Sequence, residues 1–165
     1  MRHENWQQMK QIVVLIFMCC GLIQFTQPIT QLPKRKANVL VGVFDGRTPC
    51  RSLAKQVNET VTAECTKIKW RLTLYKDSAT RNPSTYELLG FVYKKDNPRV
   101  GKWYILKGTK ADPQATVYQL DQPGGEPLFL QKGDDNVLFF LDREKNLLVG
   151  NRDFSYTLNR VVKNP

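Results

Sequence analysis

From Val39 onward, short stretches of this chain alternate hydrophobic with polar residues. The clearest stretch is Ile68–Leu74, where Ile68, Trp70, Leu72 and Leu74 alternate with Lys69, Arg71 and Thr73. Side chains of a β-strand point alternately to its two faces, so this pattern predicts a half-buried strand with a basic outer face. Phe154–Asn159 alternates in the same way and predicts a second such strand.

Further strands are predicted where apolar stretches are bounded by Gly, Pro, Asn and Asp. They are Val39–Phe44, Tyr86–Tyr93, Gly101–Leu106, Thr116–Leu120, Leu128–Gln131, Val137–Leu141 and a short one at Leu147–Val149. Eight or nine closely spaced strands indicate an all-β sandwich or barrel. We favour an antiparallel up-and-down, lipocalin-like barrel of about eight strands, because closure removes the exposed sheet edges.

One region, Pro49–Thr66, lacks the strand pattern, and Ser52–Val57 within it predicts a turn of helix. Cys50 and Cys65 flank that region. Two remaining cysteines in an oxidising compartment usually pair, so we expect a disulfide-tied loop. Closing a loop of this length contributes about 3 kcal/mol in the chain-entropy account of disulfides.

The N-terminus has the pattern of a secretory signal: Arg2 and Lys10 precede an apolar run at Ile12–Phe17. We assign 1–27 to a signal peptide, 28–37 to a basic, proline-containing leader and 38–165 to one barrel domain. An exported protein of the periplasm or outer membrane is therefore expected. A lipid anchor on Cys19 or Cys20 is a disfavoured alternative, because neither cysteine follows the small residue that a bacterial lipoprotein signal requires.

Removing the signal would remove His3, the one histidine of the chain, and all three methionines. A Ser-His triad and a histidine-based zinc enzyme are then excluded. We predict no catalytic residues, no cofactor and no metal site. Carboxylates for a glycan hydrolase are available at Asp134, Asp135, Asp142 and Glu144, but all lie in predicted turns, where such residues form local hydrogen bonds.

The net charge of +10 over 165 residues favours an anionic partner. We expect a membrane surface, a cell-wall glycan or an acidic envelope protein, with no nucleic acid and a monomeric chain. The predicted partner-binding basic face comprises Lys67, Lys69, Arg71, Lys94, Lys95, Arg99 and Lys102. A merely solvated surface explains the same charges.

Aromatic residues occur on many of the predicted strands. An eight-stranded barrel either fills its interior with side chains or encloses one small ligand. Residues predicted to line a cavity for a hydrophobic ligand are Trp70, Trp103, Tyr86, Phe139 and Tyr156. The sequence is compatible both with a packed core and with a hollow carrier barrel.

The chain resembles the N-terminal domain of NlpE-type envelope lipoproteins over about residues 40 to 160. The resemblance rests on short motifs taken in order: Val43–Cys50, Leu72–Tyr75, Tyr86, Gly101–Trp103 and Val137–Asp142. It implies a small lipocalin-like barrel in the bacterial envelope, associated with copper tolerance or with sensing envelope stress. The family loop has a second cysteine three residues after the first, whereas here the next cysteine after Cys50 is Cys65.

Three functions follow as hypotheses. The first is a non-enzymatic binding or sensing module of the NlpE-like type at the membrane surface. The second is a carrier of a small hydrophobic ligand, and the third is a carboxylate-based glycan hydrolase.

Overall fold

The computed structural model describes residues 38–57, 59–90 and 93–161. It is a closed antiparallel barrel in which consecutive strands are neighbours and the last strand pairs with the first. The eight strands are β1 (Asn38–Thr48), β2 (Ile68–Asp77), β3 (Pro83–Gly90), β4 (Arg99–Lys107), β5 (Thr116–Leu120), β6 (Leu128–Lys132), β7 (Val137–Phe140) and β8 (Thr157–Arg160). One helix, α1 (Cys50–Gln56), follows β1. The predicted fold class is confirmed.

The disulfide between Cys50 and Cys65 is also confirmed, with 6.0 Å between the two Cα atoms. It ties the start of α1 to the segment just before β2. Leu53 and Ala54 of α1 are buried in the same hydrophobic cluster as the barrel residues. The helix therefore covers the end of the barrel where β1 stops. No helix in the described ranges is long and apolar enough to cross a membrane.

The two ends of the barrel differ in their connections. The end that α1 covers, which we call the helix end, carries the connections 49–67, 91–98, 121–127 and 141–156, which include the two longest of the barrel. The opposite end, the turn end, carries 78–82, 108–115 and 133–136. Binding residues commonly lie on loops that a rigid scaffold positions, so a binding site is expected near the helix end.

Side chains fill the barrel interior. Leu72, Leu74, Tyr86 and Leu88 have no accessible surface at all, which means that no water-sized space touches them. Two interior aromatics have satisfied polar tips: Tyr86 Oη donates to the Asp121 carbonyl over 2.8 Å and Trp103 Nε1 donates to the Tyr75 carbonyl over 2.6 Å. The buried hydroxyl of Tyr93 has no hydrogen-bond partner among the described residues. Burial raises the pKa of the Tyr86 hydroxyl to about 12.

Several stretches differ from the strand prediction. β3 spans Pro83–Gly90 instead of Tyr86–Tyr93, and β8 begins at Thr157 instead of Phe154. β1 continues past Phe44 to Thr48, although Asp45-Gly46 is a typical turn dipeptide. A Cβ at Gly46 would overlap the backbone carbonyl of Thr157, so glycine is required there by the close approach of β8. Leu147–Val149 forms no strand and has only a single bridge, between Leu141 and Leu147. The predicted signal peptide, leader, Cys19 and Cys20 lie outside the described residues.

Candidate functional site: a basic groove at the barrel seam

The barrel closes through a short ladder between β1 and β8. Only two residue pairs join these strands in the described ranges, Phe44 with Arg160 and Asp45 with Asn159. Beyond Asp45, β1 continues to Thr48 with no further residue pair to β8 among the described residues. Between them lies a groove of about 550 Å³, which we call the basic groove. Its lining residues are Asp45, Gly46, Arg47, Lys69, Trp70, Asp153, Phe154, Ser155, Thr157 and Asn159.

Two cations stand directly opposite each other on one wall of the basic groove. Arg47 of β1 pairs with Lys69 of β2 in the antiparallel register, and both side chains are exposed. Within the described residues, neither side chain has a hydrogen bond or an ion pair. Like charges facing each other across strands destabilise a sheet, so this pair is not explained by stability.

The neighbouring pair on the same outer face of β1 and β2, Asp45 with Arg71, carries opposite charges. Arg71 donates from Nε and Nη2 to the two carboxylate oxygens of Asp45, over 2.8 Å and 2.6 Å. This bidentate contact raises the pKa of Arg71, chiefly through the hydrogen bond to Asp45. Arg71 and Asp45 therefore neutralise each other and leave Arg47 and Lys69 as the free charge of this wall.

A smaller groove of about 290 Å³ continues from the basic groove toward the disulfide. The two grooves share Asp153 and Phe154 in their linings, and the smaller one also touches Arg51 and Cys65. Lys67, just before β2, holds its ammonium 5.7 Å from the centre of the Phe154 ring. The cations Arg51 and Lys67 thus extend the positive charge beyond the Arg47–Lys69 pair.

The structure places the residues of the predicted basic face in several separate locations. Lys67 and Lys69 lie at or beside the basic groove, whereas Arg71 is paired with Asp45. Lys94 and Lys95 lie in the connection between β3 and β4. Lys102 is exposed on β4 opposite Thr85, and β3 separates it from β2.

Arg99 differs from the prediction of an outer face. It lies opposite the buried Leu88, so its position in β4 faces inward with Gly101 and Trp103. Its guanidinium lies 4.4 Å from the centre of the Tyr93 ring and donates to the Gln122 side chain. Arg99 therefore helps to close the barrel rim and is not available to an outer partner.

The predicted cavity residues divide in a similar way. Trp70, Trp103, Tyr86 and Tyr156 are buried in the core cluster, where they act as packing. Phe139 is on the outer side of β7, because its neighbours Leu138 and Phe140 are the buried ones. Its ring packs over Gly133 instead of lining the interior.

Three of the four carboxylates considered for hydrolysis, Asp134, Asp135 and Asp142, serve local structure. Asp134 accepts a hydrogen bond from the Asn136 amide over 2.7 Å, and Asp142 accepts one from the Asn146 amide over 2.8 Å. Asp135 pairs with Lys132 over 2.6 Å, and that hydrogen bond lowers the pKa of its carboxyl. In the part of the chain that the structure describes, no group of three or more His, Cys, Asp or Glu side chains is placed to hold a metal ion.

Arg47 is the central site residue that the sequence analysis missed. Arg51 and the polar residues Ser155, Thr157 and Asn159 were not assigned to a site either. The predicted strand stopped at Phe44, so Arg47 was not assigned to a face. The alternation of Val43, Asp45 and Arg47 would have placed it on the outer face, next to Lys69, had the strand been extended.

Fold and site together define a small closed β-barrel with a basic groove at its seam. Comparison of the chain with protein-family models, curated proteins and solved structures gives no match. The resemblance to NlpE-type lipoproteins therefore stays a prediction.

The opposition of Arg47 and Lys69 gives a direct prediction for stability. Arg47→Glu replaces a like-charge pair by an opposite-charge pair, and we expect it to raise the free energy of unfolding by about 0.5 kcal/mol at low ionic strength. Chemical denaturation measures the change. Lys107→Glu is the control, because Lys107 lies opposite the neutral Thr116. A lower stability of Arg47→Glu than of the wild-type protein would contradict the assignment of this pair.

Proposed function

We propose that this chain is an exported, non-enzymatic binding module that docks through the basic groove onto an anionic partner at a cell-envelope surface. The observation that carries the proposal is the exposed Arg47–Lys69 pair, which lines a groove and has no anionic partner among the described residues. Sites that cost stability commonly serve binding, since a protein retains such a cost where function needs it.

The disulfide supports the exported location, because disulfides persist in oxidising compartments. The predicted signal peptide points the same way. The packed interior supports docking on the outside of the barrel, because residues without accessible surface leave no space for a hydrophobic cargo. Our preferred function is therefore the binding module, not the carrier.

The proposal predicts that charge in the groove matters more than charge elsewhere. Arg47→Gln/Lys69→Gln is expected to weaken binding of inorganic polyphosphate roughly tenfold at low ionic strength, the combined effect of two exposed charge contacts. Titration calorimetry gives the affinities. The matched control is Lys107→Gln/Lys110→Gln, which removes the same charge from the turn end of the barrel.

Salt provides the second measurement. Exposed charge contacts are screened beyond about 10 Å at 0.1 M ionic strength, so wild-type binding should fall steeply as salt rises. The Arg47→Gln/Lys69→Gln variant should show a shallower dependence than the turn-end control. Equal losses of affinity in the two double variants would mean that net charge, and not the basic groove, attracts the anion.

A further inference from the structure

The wall of the basic groove opposite Arg47 and Lys69 is polar, and most of its residues are uncharged. Its one carboxylate among the described residues is Asp153, which is paired with Arg152 over 3.4 Å. Ser155 and Asn159 are exposed and Thr157 is half-buried, and they alternate with the buried Tyr156 and Leu158. All three polar residues line the groove. Within the described residues, their side chains make no hydrogen bond, so their donors and acceptors are free.

This wall has a different chemistry from the cationic one. Hydroxyl and amide side chains both donate and accept hydrogen bonds, whereas arginine and lysine only donate. A carboxylate or phosphate oxygen only accepts hydrogen bonds, so the donors of the cationic wall are sufficient to bind it. Sugar hydroxyls both donate and accept, and they match the row formed by Ser155, Thr157 and Asn159.

The shape of the site favours a slender ligand over a flat surface. The two walls border an open groove of about 550 Å³, a volume that can accommodate a small molecule or a short chain-like ligand. The head-group plane of a bilayer is flat on this scale and would contact only the rim. The smaller groove extends the path toward Cys65 and would hold a further unit of a chain-like ligand.

We infer that the basic groove binds an acidic oligosaccharide, an inference that rests on the proposed function. Its carboxylates contact Arg47 and Lys69, and its hydroxyls contact Ser155, Thr157 and Asn159. The bidentate Asp45–Arg71 pair keeps Asp45 neutralised, so that it does not repel the ligand carboxylates.

The test compares four probes by titration calorimetry with the purified protein at one low salt concentration. They are a short oligogalacturonate, a neutral cello-oligosaccharide of the same length, polyglutamate and phosphatidylglycerol vesicles. We expect oligogalacturonate to bind most tightly. Ser155→Ala/Asn159→Ala should weaken its binding roughly tenfold, the effect of two lost hydrogen bonds, and leave polyglutamate binding unchanged. Ser78→Ala in the turn between β2 and β3 is the matched control.

The outcomes separate this inference from the proposed function. Polyglutamate or vesicles binding as tightly as oligogalacturonate, with no effect of Ser155→Ala/Asn159→Ala, would overturn the oligosaccharide while leaving the anion-binding module in place. No effect of Arg47→Gln/Lys69→Gln on any probe would overturn both. Because Ser155 and Asn159 are exposed, the variants should keep the wild-type thermal midpoint, which calorimetry confirms beforehand.

Discussion

Loss of the Cys50–Cys65 disulfide is expected to lower the free energy of unfolding by about 3 kcal/mol. The bond closes a loop with a sequence separation of 15 and fixes the start of α1. Without it the unfolded chain gains conformational freedom, and the native state is disfavoured by that amount. Cys50→Ala/Cys65→Ala, followed by chemical denaturation, measures the loss.

The same comparison separates the disulfide from side-chain packing. Cys50 is buried, so the double variant also removes a packed sulfur atom. Thiol reduction of the wild-type protein keeps both sulfur atoms and should give a similar loss. A loss below about 1 kcal/mol in both experiments would show that the loop is held by its other contacts, chiefly those of Leu53 and Ala54.

Replacement of Arg160 is expected to have the second-largest effect, a loss of about 2 kcal/mol. Arg160 Nη1 donates to the Val41 carbonyl over 2.9 Å, and Nε donates to the Asp135 carbonyl over 2.7 Å. Its guanidinium carbon also lies 4.8 Å from the centre of the Phe44 ring. Since the β1–β8 ladder is short, the contacts to Val41 and Phe44 of β1 reinforce the closure of the barrel, while the bond to Asp135 ties β8 to the turn between β6 and β7.

Chemical denaturation of Arg160→Ala tests this role of the side chain. Arg160→Lys keeps the charge but not the two-point donation, so an intermediate stability is expected. Arg143→Ala is the matched control, because Arg143 is exposed and makes no hydrogen bond or ion pair within the described ranges. A loss in Arg160→Ala no greater than that in Arg143→Ala would contradict the account of the seam.

The strands were predictable because each is a local pattern. Ile68–Leu74 alternates so regularly that only one face can be buried, and the structure buries that face. The disulfide was predictable because two cysteines flanked the one stretch that lacked a strand pattern. The strand predicted at Leu147–Val149 is absent because three apolar residues with a single bridging pair gain little from burial, and Val149 is 90% exposed.

The site was less predictable because it arises where the barrel closes. Lys67 and Lys69 were identified from their own strand, but their relation to Phe154 and Ser155 depends on which strands meet at the seam. Arg99 and Phe139 each lie on the opposite face of their strand from the one predicted. A shift of one residue moves a side chain to the other face of a strand, and short strands such as β7 carry few residues to fix that choice.

The most direct test of the basic groove is to map the amide chemical shifts of the protein as oligogalacturonate or polyphosphate is added. We predict that the shifts concentrate on Asp45–Arg47, Lys67–Trp70 and the segment 153–159, which together line or adjoin the groove. Shifts centred on Lys94, Lys95 and Lys102, or spread evenly over the basic surface, would contradict the central claim.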